Sequence, residues 1–238
     1  MIFPVKVPYT VGPDIVKYEG AAFNIHPDPS YLLEKKKELE LYGGHICGST
    51  SNDYLYHLNA FCGFDANATL PEICVGLEED VAILKDGHLH AIGFCFPSGF
   101  YPTQKLGLSF FDMHLPVGDG EILRRSSEKV SALISKQNVM FRRHVWTLTS
   151  LPSLSQLPSY TKPIPQKIND LYFRTETQTT VGVDGKICLF FVKVDMYPLE
   201  QVWDDHEKRT VIIESINSMS DAVLGYKNLA YIKTIINK

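Results

Sequence analysis

An α+β fold, built on a single antiparallel sheet of five strands with covering helices, is what this 238-residue sequence predicts. Residues 79–96 alternate with a period of two about Asp86-Gly87, a tight hairpin signal. Residues 139–150, 170–181 and 187–197 return to strand character, rich in β-branched and aromatic side chains. Between the pair and the trio the apolar spacing is helical, so helices interrupt the sheet.

The elements follow in order. Residues 1–30 carry Pro4, Pro8, Pro13, Pro27 and Pro29 among aromatic residues, which predicts extended chain packed on the core without regular structure of its own. Asp28-Pro29-Ser30 is a helix start for Tyr31 to Leu39, whose charge run reads as a solvated face, and Gly43-Gly44 reads as its end. Asp53 to Phe61 is a second, short helix. Glu78-Glu79-Asp80 reads as a solvated strand start, followed by Val81-Ala82-Ile83-Leu84 and the return strand His88 to Phe96. Leu106, Phe110 and Met113 share one helical face, and Ile122, Val130, Leu133 and Ile134 another over Glu121 to Lys136. Ser150 to Gln166, with Pro152, Pro158, Pro163 and Pro165, must loop between neighbouring strands. His206 to Asn217 and Ser220 to Ile236 are terminal helices, the second started by Ser218-Met219-Ser220-Asp221. Two strands, a helical excursion and three strands is the chain order of the PAS fold. The division expected is a helical extension over 1–70, a PAS-like core over 71–200 and C-terminal helices over 201–238, treated together as one domain.

Composition narrows the function. A hydrophobic content of 45% is that of a globular chain, and a net charge of -4 with pI near 6.1 gives no footprint for nucleic acid or an anionic membrane. No apolar window approaches the ~18 residues of a membrane span, and no signal-like leader opens the chain, so a soluble, cytoplasmic protein is expected. Cys47, Cys62, Cys74, Cys95 and Cys188 lack C-x-x-C spacing and read as reduced thiols. Asn67-Ala68-Thr69 matches a glycosylation acceptor by chance. Nucleotide-loop, zinc-protease and serine-elbow motifs are missing, so the chain has no evident nicotinamide or flavin site of its own.

A few polar residues stand where chemistry is possible. His114 ends an apolar helical piece beside Phe110, Phe111 and Met113, with Pro116 forcing the chain out of helix. It is either a metal-binding imidazole or a core histidine bonded to a backbone carbonyl. Arg174, Glu176 and Gln178 project from one strand face, lining a pocket if that face is covered and forming a polar edge if it is not. Of Arg142 and Arg143, period two sends one to each face; either can meet a carboxylate or remain surface charge. His88 and His90 lack a third ligand at useful spacing.

Read together, Leu77-Glu78-Glu79-Asp80, Phe94-Cys95-Phe96-Pro97-Ser98, Lys105-Leu106-Gly107 with Met113-His114-Leu115-Pro116-Val117, Arg143 three residues before Trp146, Arg174-x-Glu176-x-Gln178, and Ser218-Met219 with Tyr226-Lys227 resemble the α subunit of haem-dependent oxidative N-demethylases (the dimethylamine monooxygenase type). The resemblance runs from about residue 70 to the end. It implies a PAS-like domain binding haem b through His114, with Arg142 and Gln178 assisting the cofactor. Glu176, Arg143 and Arg174 are the implied catalytic set: Glu176 orients a small secondary amine, and Arg143 meets oxygen or a haem propionate. Electrons would come from NADPH through the FMN and iron–sulfur cluster of a separate reductase, and formaldehyde would be released. Two departures leave the substrate open: Val145 stands where the family usually has Asn, and Thr177 where it has a basic residue. The rival classes are a non-catalytic haem or small-ligand sensor and a haem-free scaffold.

Overall fold

The computed structural model describes residues 1–237. Its strands are β1 (Val16–Tyr18), β2 (Cys47–Ser49), β3 (Asp80–Lys85), β4 (His88–Gly93), β5 (Met140–Thr149), β6 (Tyr172–Gly182) and β7 (Ile187–Pro198). Ten α-helical segments occur among the described residues. α1 (Pro29–Ile46), α2 (Leu55–Cys62) and α3 (Leu70–Gly76) precede the β3–β4 hairpin, while α4 (Phe110–Met113), α5 (Glu121–Arg125) and α6 (Ser127–Ile134) follow it. After β7 come α7 (Glu200–Trp203), α8 (His206–Asn217), α9 (Asp221–Tyr226) and α10 (Ala230–Ile236).

The α+β class holds, but the sheet has seven strands, not five, in the order β1-β5-β6-β7-β3-β4-β2 with every pairing antiparallel. The five expected strands form its contiguous centre. The two additions are three-residue edge strands, too short for a periodicity to show. β1 belongs to the proline-rich lead, where no regular structure is expected; it forms because Val16 to Tyr18 complete the edge of β5 opposite Arg142 to Met140.

Local chemistry sets the boundaries. Asp86 (φ 47°) and Gly87 (φ 76°) turn the β3–β4 hairpin with two positive φ angles, which suits the right-handed twist of its strands. The Asp28 carboxylate accepts from Ser30 N–H to start α1, and Asp205 accepts from Glu207 and Lys208 N–H to start α8. The stretch 220–236 divides at Asn228 (φ 56°) into α9 and α10. Gly43 and Gly44 do not end α1, which continues to Ile46.

Three apolar clusters hold the layers together. Val81, Ile83, Leu189 and Phe191 pack against α1–α3 on one face of the sheet. Ala82, Leu84 and Cys188, one residue out of phase, pack on the other against Val130 and Ile134 of α6. Trp146, Leu148 and Phe173 meet α8–α10 at the β5 side. Gly118 brings the α4–α5 turn against α9, because a Cβ there would lie 2.5 Å from the Ala222 carbonyl oxygen. Between the α4–α6 excursion, the sheet and the Tyr226-Lys227 corner a cavity remains. No helix among the described residues is long and apolar enough to cross a membrane.

Candidate functional site

The cavity encloses about 680 Å³, within the range of about 300–1,000 Å³ usual for small-molecule and cofactor sites. A smaller one of about 350 Å³ lies between the proline-rich crossing and α10 and lacks a comparable set of polar groups. Strand register explains what lines the larger cavity. Arg143 lies opposite Gln178, Val145 opposite Glu176 and Thr147 opposite Arg174, so these three pairs share a sheet face. Phe190 and Val192 of β7 extend that face as an apolar floor.

The trio Arg174, Glu176 and Gln178 is covered. Arg174 is 1% exposed, and its guanidinium donates to Phe96 O at 2.8 Å, Ser98 Oγ at 2.6 Å and Glu176 Oε1 at 2.5 Å. Glu176 Oε1 also accepts from Ser98 Oγ at 2.9 Å, while Oε2 accepts only from Gln178 Nε2 at 2.7 Å. Burial pushes the Glu176 carboxyl up, but the Arg174 charge and the bonds from Arg174, Gln178 and Ser98 outweigh it and hold the carboxyl below the ordinary value. The site therefore holds an ionised carboxylate at neutral pH, with a free lone pair on Oε2.

His114 stands across the cavity as the residue that ends α4. Its Nδ1 is 2.6 Å from Phe110 O, and Nε2 has no hydrogen-bond partner among the described residues. Burial lowers its proton affinity; the Phe110 bond opposes this, and Arg143 and Lys105 add to the lowering. The result is a neutral imidazole with Nδ1 as the N–H donor and Nε2 as the free lone pair, the arrangement a metal-binding histidine requires. The bond to a backbone carbonyl is the one the core reading expects, and it leaves Nε2 free. Among the described residues no grouping of three His, Cys, Asp or Glu side chains can hold a metal by itself, and His88 and His90 instead bond Asp86 O and Thr50 Oγ1.

The two arginines part as the period requires. Arg143 enters the cavity: its Nη1 donates to Pro13 O at 3.2 Å and Gly12 O at 3.5 Å, and its buried Nε has no partner. Arg142, opposite Thr179, faces away from the cavity. It donates to Thr179 Oγ1 and Ala21 O and stacks over Tyr18 with 3.6 Å to the ring centroid, so the expectation that it assists a cofactor gives way to a packing role.

Two groups to which sequence reasoning gave no role at the site support or complete it. Lys35, placed by its charge run on a solvated face, is fully buried: it donates to Leu77, Glu78 and Glu79 carbonyls and lies 3.3 Å from Asp80. Glu78, Glu79 and Asp80 are buried rather than solvated, at 6%, 6% and 1% exposure. Asp80 accepts from Cys95 and Phe96 N–H at 2.9 Å, which fixes the segment whose Phe96 and Ser98 hold Arg174. The signal is in α1: Tyr31, Lys35, Glu38 and Tyr42 recur at helical spacing on the face turned to the core. Lys227, at the α9 corner, donates to Trp146 O at 2.7 Å and lines the cavity together with Tyr9 from the N-terminal segment.

The family model described as haem-dependent oxidative N-demethylase, alpha subunit-like, matches residues 50–236, most of the chain. No curated protein matches the chain.

Proposed function

The chain belongs to the haem-dependent oxidative N-demethylase alpha subunit-like family, and from that membership we propose that it binds haem b in a PAS-like core and oxidises a small secondary amine at an N-methyl carbon. One observation carries the reading: a neutral imidazole at the wall of a roomy, largely apolar cavity is pinned at Nδ1 and keeps Nε2 without a partner among the described residues.

The residues fit the cofactor. His114 would hold the iron, Phe94 and Phe190 give flat apolar walls, and Lys105 and Lys162 stand at the cavity without anionic partners to receive propionates. Gln178, opposite Arg143, adds an amide at the polar end. Bound there, haem supplies activation of O2 with electrons from a separate reductase carrying flavin and an iron–sulfur cluster and drawing on NADPH.

This chain's own groups bind and orient. Glu176 Oε2 accepts an ammonium N–H, and Arg174, itself fixed by Ser98 Oγ and Phe96 O, keeps that carboxylate ionised through its bond to Oε1. The apolar floor of Phe190 and Val192 favours the N-methyl group over water. A chemically reduced, haem-loaded preparation supplied with dimethylamine and oxygen should release formaldehyde. Glu176→Gln should lower kcat/KM by roughly 10–100-fold, since an amide gives no charge-assisted bond to ammonium. Haem uptake without formaldehyde from any secondary amine would favour the non-catalytic sensor instead.

A further inference from the structure

The charged groups of the cavity do not balance. Its lining anions are Asp14, 3.9 Å from Lys6, and Glu176, engaged by Arg174. Its remaining lining cations, Lys105, Lys162, Arg143 and Lys227, have no ion-pair partner among the described residues. Lys105 and Lys162 suit the two propionates of a haem. That leaves Arg143 and Lys227 without an anion, and both stand beside Glu176.

Their placement follows from the backbone. Arg143 is opposite Gln178, one diagonal step from Glu176 on the same face, within reach of long side chains. The Lys227 ammonium rests on the carbonyl of Trp146, next to Val145, which is itself opposite Glu176. The Gly12 and Pro13 carbonyls, at the cavity wall, hold the Arg143 guanidinium by Nη1 and leave Nε buried and unpartnered. A buried donor left without an acceptor costs about 1–3 kcal/mol, which a ligand oxygen would recover. A bare dialkylamine supplies one positive charge and no acceptor, so it answers Glu176 and leaves both cations unanswered.

We propose that the substrate is zwitterionic, an N-methyl amino acid whose ammonium meets Glu176 Oε2 and whose carboxylate meets Arg143 Nε and the Lys227 ammonium. This rests on the amine-oxidising reading above and narrows its substrate class. The protonation behaviour agrees. Burial pushes Lys227 down to about 8, with Glu176 opposing and Arg143 and Arg174 adding, as expected of a cation awaiting a counter-charge. The reaction keeps its balance: one oxygen atom of O2 enters the N-methyl C–H bond and the other leaves as water. Two electrons from the reductase and two protons are consumed, and the C–N bond then breaks to formaldehyde and the free amino acid.

The test is calorimetric titration of the haem-loaded protein with N-methylglycine and with N-methylethanolamine, which replaces the carboxylate by a hydroxymethyl group. N-methylglycine should bind at least about 10-fold more tightly. Arg143→Gln should weaken N-methylglycine by about 10–100-fold, the loss of one charged hydrogen bond, with a much smaller effect on N-methylethanolamine and an unchanged haem content. Lys227→Met should act in the same direction and serves if the arginine variant does not fold. Equal or tighter binding of N-methylethanolamine by the parent overturns the zwitterion while leaving the amine site standing. Loss of haem from Arg143→Gln with selectivity retained assigns that arginine to a propionate and also overturns it. Failure of the haem-loaded parent to bind either amine overturns this inference, and failure to bind dimethylamine as well, or to take up haem at all, overturns the amine-oxidising reading with it.

Discussion

Replacing Lys35 by methionine should cost about 3–5 kcal/mol in urea-induced unfolding, the usual penalty for removing one partner of a buried ion pair. The ammonium is fully buried, 3.3 Å from Asp80, and serves three carbonyls of the Leu77 to Glu79 turn. Burial alone would push Lys35 down, but the Asp80 charge and its bond to the ammonium hold it above the ordinary lysine value, so it stays charged. Methionine fills the space and leaves the Asp80 carboxylate uncompensated. Adding Asp80→Asn should recover part of the loss, because the amide oxygen can still accept from Cys95 or Phe96 N–H while the stranded charge is gone. A Lys35→Met protein within about 0.5 kcal/mol of the parent, the range of an ordinary surface change, would contradict this. The pair matters to function because it anchors the segment that supplies Phe96 O and Ser98 Oγ to Arg174.

Arg174→Met should be as costly, again about 3–5 kcal/mol at neutral pH, and its pH dependence identifies the cause. In the parent, the folded-state Glu176 carboxyl lies below its unfolded value of 4.5. Its contribution is therefore present above pH 4.5 and lost as pH falls through the depressed folded value. Without Arg174, burial becomes the leading influence and the folded carboxyl rises above its unfolded value. Its contribution then reverses: the protonated state is favoured, and stability falls as pH rises past 4.5. The gap between parent and variant should thus be widest near pH 7 and shrink near pH 4. Urea midpoints measured at both pH values check this, and an equal gap at both would mean that Arg174 acts by packing alone.

What the sequence made legible is what local pattern encodes. The β3–β4 hairpin announces itself through Asp86-Gly87 and alternation, and α8 matches its expected span because Asp205 caps it and its apolar residues repeat. The Arg174-Glu176-Gln178 face is equally visible as alternation, but its burial is not, since the cover comes from Ser98 and Phe96, more than 70 residues earlier. Period two separates Arg142 from Arg143 yet cannot say which one faces the cavity; only the pairing with Gln178 and Thr179 decides it. Lys35 was hidden by its lysine neighbours, although its spacing with Tyr31, Glu38 and Tyr42 marks the inward stripe. Tyr9 and Lys227 reach the cavity from opposite ends of the chain, and no local signal reports such a meeting.

Everything proposed for catalysis depends on the imidazole that Phe110 pins at Nδ1. The most direct measurement is the visible spectrum of protein produced with haem precursor, oxidised and then reduced under carbon monoxide, beside a His114→Ala variant whose folding is verified by circular dichroism. The parent should show a Soret band that the variant loses or shifts, with partial restoration by added imidazole. A parent that folds but takes up no haem, or a variant whose Soret band is indistinguishable from the parent's, would contradict it.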